Sequence, residues 1–398
     1  MIAGHLFLGF EGRGSSMNKL RSLTFVCGLL STAASAQSVT DVGGMKTARA
    51  GHAATLLISG KVLVTGGGNG KADPTAELYD PASRTFSSTA GNMTQARVWH
   101  TATLLKLSNS AATNYGKVLV VGSVGTSAEL YNPSTNTFVA TGSLHHARTS
   151  PTATLLKTGK VLIVGGNTTS GDLVAELYNP ASGTFSDTGR TTTLRTGHTA
   201  TLLLDGRVLI AGGGTDTAEL YNPSSGAGTF TATAGVMSES RSGHTATLLG
   251  AADGVKSGHV LIIGTDGSAD LYDPSTQTFE TVGNRGTGNT PIYQSTASLR
   301  SDGTVLWAGG FIPVLRMVCN GVSATGKSLS GAELFAPGID GFTVTASLNM
   351  GRDSHTATVL QDASVLVVGG MHRVFSPPHF MFPCHASNAV LSSAELFR

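Results

Sequence analysis

Charge is scarce in this chain of 398 residues: Asp, Glu, Lys and Arg together make up 13% of it, against 52 glycines. Aromatic residues are also few, at 6%, and there are only three cysteines and 13 prolines. Each shortage narrows the options. Two or three cysteines cannot make a disulfide-dense scaffold or the paired spacing of a zinc module. No phosphate-cradling glycine loop, Ser-His-Asp arrangement or basic patch stands above background. With little charge and much glycine, the composition is that of many short strands joined by tight turns.

The first 36 residues read separately. Met17 to Ala36, MNKLRSLTFVCGLLSTAASA, places Lys19 and Arg21 before an apolar stretch and ends in the small residues Ala34-Ser35-Ala36. That is the pattern of a secretory signal peptide, cut before Gln37, and it places the mature chain in the periplasm, outside the cell or on its surface. Met1 to Ser16 precedes the charged region, so Met17 competes with Met1 as the start. The apolar run is too short for a comfortable membrane span, and no span is expected in the mature form. Setting residues 1–36 aside removes Arg13, Lys19, Arg21 and Glu11, which leaves 23 basic and 23 acidic residues. A neutral chain has no general attraction for nucleic acid or anionic membranes. Cys27 leaves with the leader, and the remaining pair, Cys319 and Cys384, reads in an exported chain as one disulfide.

The rest, residues 37–398, is one unit repeated. Its clearest copy is RTGHTATLLLDGRVLIAGGGTDTAELYNPSSGAGTF, from Arg195 to Phe230. Two short apolar runs flank an Asp205-Gly206 turn, Gly212-Gly213 closes the second, and Ala218 to Asn222 forms a third run stopped by Pro223. Runs this short, rich in Val, Ile, Leu and Thr, make four antiparallel strands, here called a to d. Seven copies begin near Arg49, Arg97, Arg148, Arg195, Arg241, Tyr293 and Arg352. The paired glycines recur at 66–67, 165–166, 212–213, 309–310 and 369–370, while the second and fifth copies keep only Gly122 and Gly264. The third strand recurs as AELYD, AELYN, ADLYD, AELFA or AELF. The last copy ends at Arg398 without a fourth strand, and Ser38 to Met45 aligns with Thr85 to Met93. The start of the mature chain is therefore expected to supply the outer strand of blade seven and close a ring.

In period, about 50 residues, and in the order of its motifs, the sequence resembles the kelch-repeat β-propeller family. The resemblance implies an all-β fold, a seven-bladed β-propeller of four-stranded blades. Phe86, Phe138, Phe185, Phe230, Phe279 and Phe342 stand where kelch repeats usually carry Trp, which suggests a bacterial exported variant.

Strand parity puts the start of strand a, the b-to-c loops and the d-to-a connections on one face. Arg49, Arg97, Arg148, Arg195, Arg241 and Arg352 open strand a there. The kelch resemblance implies a ligand-lining role for them, and repetition in nearly every blade implies a structural one. His52, His100, His198, His244 and His355 follow three residues later, with Pro151 and Ser295 in the equivalent places; a ring this wide suits hydrogen bonds between blades better than one metal ion. Asymmetry is the better guide. The b-to-c loops of blades six (Phe311 to Gly331) and seven (Met371 to Ser393) are long, each carries one cysteine, and both rise from the same face. Phe311, Phe375, Phe380 and Phe382 make them either a binding surface or a hydrophobic plug. His372, His379, Cys384 and His385 could bind a metal, but export favours the disulfide.

Tyr293 to Gly303 also resembles a strand of galactose oxidase, a seven-bladed kelch copper-radical enzyme, and by that likeness Tyr293 would be the radical and copper ligand. The rest of that constellation is missing: Ser354-His355 replaces the Tyr-His pair of the last blade, and no cysteine stands near Arg241 to His244. The expectation is a non-catalytic monomer, without cofactor, that binds a protein or glycan through its b-to-c loop face, with no metal site and no catalytic residues. The alternative is a divergent galactose-oxidase-like copper-radical oxidase.

Overall fold

Strand b of each repeat is an unbroken apolar run, such as Val62–Thr65, Val118–Val121 or Val208–Ala211, and every residue in it is buried. A strand with no polar side has both faces covered, whereas the Thr-Ala-Thr-Leu of strand a is half-buried and borders an open channel. In the computed structural model those two facts resolve into seven four-stranded antiparallel sheets set around a ring. The structure describes residues 37–106, 113–168, 171–224, 227–250, 256–285, 290–319, 322–376 and 385–398, and the side chains of 314–319, 322–325, 375–376 and 385–386 are outside the description. No helix occurs among the described residues. The architecture is a seven-bladed β-propeller.

The core is not one volume but seven layers between blades. Each hydrophobic cluster joins two neighbours, from Val62 and Val64 of blade one against Leu366 and Val368 of blade seven to Leu306 and Ala308 of blade six against Val365 and Val367. The remaining five clusters fill the other seams. At the rim of blades one to six the strand c aromatic faces its strand d Phe with ring centroids 4.9–5.1 Å apart, as in Tyr221 and Phe230. These are cross-strand pairs of directly opposed residues.

Blade seven is built from both ends of the repeat region. Val39–Val42 pairs with Ala394–Phe397, Val39 opposite Phe397, and so covers what would be a bare sheet edge. Phe397 is opposed by Val39 where blade one sets Tyr79 against Phe86.

Six blades share one buried bolt. Arg195 donates from Nη1 to the Gly212 carbonyl (2.7 Å) and the Thr217 carbonyl (3.1 Å), and from Nε and Nη2 to Glu219 (2.9 and 2.6 Å). The other Glu219 oxygen accepts the Thr192 amide at 2.9 Å. One ion pair thus ties the d-to-a connection, the b-to-c loop and strand c together. Arg49 with Glu77, Arg97 with Glu129, Arg148 with Glu176, Arg241 with Asp270 and Arg352 with Glu395 repeat it.

Blade six breaks the pattern, and here the expected alignment needs correcting. The structure sets Ile292, not Tyr293, at the arginine position, because Ser295 stands where the histidine of the motif would be three residues on and Ile292 is buried in the seam between blades five and six. Glu333 is left with an unpartnered, buried Oε2, and burial raises its carboxyl above the usual range. The nearest substitute is Arg285, 2% exposed, whose three guanidinium nitrogens have no hydrogen-bond partner and which stacks on Trp307 at 3.8 Å. Desolvation brings the Arg285 guanidinium down to about 10.

Removing one partner of a satisfied buried pair costs about 3–5 kcal/mol. Arg195→Leu should therefore lower stability by about that amount, read from the urea midpoint of residues 37–398. Glu333→Gln should cost less than about 1 kcal/mol, since only an unmet group is lost. Equal losses would remove the distinction drawn between blade six and the rest.

Candidate functional site

The six candidate arginines lie in the wall of the propeller, 0–2% exposed, with their guanidiniums committed to carboxylates and loop carbonyls. The five histidines lie in the seams. His52, His100, His198, His244 and His355 each set Nε2 2.9–3.0 Å from a threonine hydroxyl of the preceding blade. Burial and the adjacent arginines pull four of them down to about 3 and His198 to about 4, so all five are neutral at ordinary pH.

Each of these rings also explains a glycine. A Cβ on Gly66, Gly165, Gly212, Gly309 or Gly369, all at positive φ, would sit 2.6–2.9 Å from Cε1 of the histidine of the next blade. The two blades that keep a single glycine, at Gly122 and Gly264, are followed by the two without histidine, where Pro151 and Ser295 stand. The hydroxyl follows the same rule. Thr101, facing Pro151, bonds back to the Val121 carbonyl instead, and Thr245, facing Ser295, is left without a partner. Blade one begins strand a with Ala53, and the hydroxyl that meets His100 comes from Thr65, directly opposite Ala53 across the two strands.

Above the seams, at the channel mouth, lie the residues where the repeat fails. Tyr293 is 37% exposed, forms a two-way backbone bridge with Phe311 (3.0 and 2.9 Å), and stacks on its ring at 5.8 Å. The Arg373 guanidinium lies 4.7 Å over the other partner of that stack, Phe311. Arg373 is held flat by Asp353, fully buried, at 2.9 Å from Nε and 3.2 Å from Nη2. Ser328 (2.7 Å) and Ser354 (2.9 Å) donate to the same carboxylate, and Ser354 also donates to Gln294. Trp99, 45% exposed, stands on the same rim in the place that Gly51, Gly197 and Gly243 occupy in other blades. Trp99, Gln294 and Ser354 all adopt the positive φ that the glycines adopt there.

The long loops of blades six and seven fold as β-ribbons, Phe311–Cys319 with Val322–Ser328 and Met371–Ser376 with His385–Val390, and the two ribbons lie side by side. Their order comes from their own pairing. Phe380, Phe382 and Cys384 lie outside the described residues, as do the side chains of Phe375 and Cys319, and with them the proposed disulfide; residues 1–36 lie outside them too. Sequence reasoning missed Asp353, Arg373 and Trp99. Asp353 was visible as the one charged residue after the arginine, where the other blades have Ala50, Val98, Thr149, Thr196 and Ser242. Two grooves lie on the opposite face, at the turns between blades four and five (about 650 Å³, around Arg207, His259 and Asp273) and blades seven and one (about 520 Å³, around Lys61, Asp80 and Asp362).

Among solved structures, a fungal alcohol oxidase of the AA5 family, in complex with copper, is similar over 90% of this chain and 75% of its own, with a TM-score of 0.65 and 17% identity. The likeness is one of fold. No protein-family description matches the sequence, and no curated protein does either. Copper does not fit the described residues around Tyr293: its ring packs on Phe311, and the nearby His355 has its Nε2 turned into the seam to Thr296. The one convergence of His, Cys, Asp or Glu at metal-binding separations among the described residues lies elsewhere, in blade three.

The seam histidines give a pH prediction. Their pKa values are depressed by folding, so the unfolded chain binds more protons below about pH 6.5, and stability falls on acidification until the folded values are reached. Each histidine should contribute about 1.4 kcal/mol of loss per pH unit in that range. The urea midpoint should drop steeply between about pH 6.5 and about pH 5.5, above the range where ordinary carboxylates titrate. His244→Gln should lower stability at pH 7 yet flatten that slope by about a fifth. A slope unchanged in the variant would mean that the histidines do not cause it.

Proposed function

We propose that this propeller is an exported, non-catalytic binding module that holds a protein or glycan on its b-to-c loop face. The observation that carries the reading is the ledge of Tyr293, Phe311 and Arg373, set at the point where the repeat departs from its own rule. A tilted aromatic pair with a guanidinium over one of its rings is a surface suited to recognition: rigid, partly apolar and costing little ordering entropy on binding. Its rigidity comes from below. Asp353 is buried, and its charge is worth keeping only because it pins Arg373 and the two serines in one arrangement. The six scaffold arginines need not touch the ligand under this reading.

The similarity in fold to a copper oxidase motivates a second reading, a divergent oxidase, for which Tyr293 supplies one oxygen donor and the described residues supply no partner set. The two readings separate on one variant. Binding measured against a glycan array and a secreted-protein fraction should fall about tenfold or more with Tyr293→Ala, at an unchanged urea midpoint. Stoichiometric copper bound by the wild-type chain and lost in Tyr293→Phe would replace the binding reading with the oxidase one.

A further inference from the structure

Blade three holds a cluster that no other blade has. At the two positions before its arginine motif, where the other described connections carry Lys46-Thr47, Thr94-Gln95, Thr192-Thr193, Ser238-Glu239 and Asn349-Met350, it carries His145-His146. Opposite Glu176 on strand d it carries Asp187, where the equivalent residues are Ser88, Ala140, Ala232, Thr281, Val344 and Asp41. Its b-to-c loop adds Asp172. Repeat symmetry accounts for the loop aspartate, since Asp73 and Asp266 hold the same place and accept the same amide bond from two residues on, and blade seven sets Asp41 opposite its strand c glutamate; the histidine pair is what blade three adds.

Their geometry is specific. His146 places Nδ1 2.6 Å from Asp172, which fixes that nitrogen as the protonated one whenever Asp172 is ionised. Hydrogen bonding from the Val174 amide, with His146 and Arg190 nearby, holds the Asp172 carboxyl below the usual range. Nε2 of His146 is buried, has no hydrogen-bond partner and lies 3.6 Å from Asp187 Oδ1. A cation between the two, a proton or a metal ion, makes that contact favourable. Ligands at about 2.0–2.1 Å around a tetrahedral ion stand about 3.3 Å apart, so this pair is already close to that spacing. His145 is bonded to the same carboxylate oxygen, Nδ1 to Oδ1 at 2.6 Å; its side chain is half exposed and its ring centroid is 6.4 Å from that of His146. Its ligand nitrogen lies within 4.8 Å of the ligand oxygens of Asp187 and Glu176, and the half-exposed ring has to turn from its bond with Asp187 to share one ion with His146. Glu176 beneath is committed to Arg148 and to the amides of His145 and His146, and so fixes the backbone that carries both rings. Three carboxylates against Arg148 and Arg190 leave the neighbourhood net negative.

We propose that His145, His146 and Asp187 form a site for a divalent transition metal, with Asp172 as the positioning residue that orients His146. Two imidazoles and a carboxylate match the borderline ions, zinc foremost, and three protein donors on an exposed rim leave a coordination position for water or an outside ligand. The bound ion would join the connection entering blade three to that blade's outer strand. This site is independent of the Tyr293 ledge.

The test is titration of residues 37–398 with Zn²⁺ alone at neutral pH, by calorimetry, with the urea midpoint recorded with and without the metal. The expected result is one saturable site that raises the midpoint. His146→Gln and Asp187→Asn should each weaken binding tenfold or more and abolish the zinc-dependent rise, while the metal-free midpoint stays where it was. Asp172→Asn should weaken zinc about 10–100-fold, also without moving the metal-free midpoint, as expected for a residue acting through His146. Absence of saturable binding in the wild type would overturn the proposal. So would binding that survives both His146→Gln and Asp187→Asn, which would move the metal to other histidines such as His372.

Discussion

The fold hangs on a charge buried where water cannot reach it. An arginine that enters six of the seven blades from the connection before it carries enough donors to meet a loop carbonyl, a strand c carboxylate and often a second carbonyl at once, and the carboxylate has a second oxygen for the incoming backbone. Loops bring unpaired carbonyls and amides to the top of every blade, and burying them unmet would cost about 1–3 kcal/mol each. The bolt meets them without adding a strand or a helix. Net affinity of the two charges is not the point, since their desolvation nearly cancels their attraction. What the pair supplies is a unique geometry: the same three segments meet in the same way in blades whose loops differ in length.

The next level, from blade to ring, rests on fit rather than charge. A histidine from one blade lies over a glycine of the blade before and reaches a hydroxyl on that blade, so three positions in two repeats act as one device. Its absence is as informative as its presence. Where Pro151 or Ser295 replaces histidine, the preceding repeat no longer keeps its glycine pair, and the threonine left behind turns to its own carbonyl or to nothing. Ala53 and Thr65 exchange roles across a strand pair and leave the contact with His100 intact. Only the geometry between blades is conserved by such exchanges, which marks the seam as the selected feature.

Much of this was legible in the sequence. The seven blades, the four strands, the strand c and d aromatics and the borrowed outer strand from Val39 to Val42 follow from period, turn residues and a missing last element, because those are local signals that recur. The pairing of glycine loss with histidine loss was equally present in the letters, but it links residues about one repeat apart and becomes visible only once neighbouring blades are known to touch there. Tyr293 shows the opposite limit. Its place in the motif depends on whether Ile292 or Tyr293 is counted as the arginine position, and one residue decides whether an aromatic faces the core or the channel mouth. Asp353 precedes strand a of blade seven and Arg373 lies in its b-to-c ribbon, and they meet because Asp353 bridges Met371, two residues before Arg373; a ribbon in place of a short loop is absent from the other repeats' pattern.

A closed ring has as many seams as blades, and this bears on why the exceptions gather in blade six. An open array with one faulty repeat can separate there, since each unit is held only by its neighbours. In a ring the two flanks of a weak blade remain joined through the other six, and the Val39–Val42 strand secures the join in blade seven by covalent continuity on one side and sheet pairing on the other. The structure can therefore carry an uncompensated Glu333 and an Arg285 that meets only the face of Trp307. With Ile292 in place of the arginine, the connection into blade six is no longer fastened to its b-to-c loop. The segment that follows is Tyr293, and the loop it bridges, by backbone and by ring contact, begins at Phe311. The missing bolt and the exposed aromatic ledge are thus neighbours in space for a reason: the position that gave up stability is the one whose next residue is turned out toward solvent.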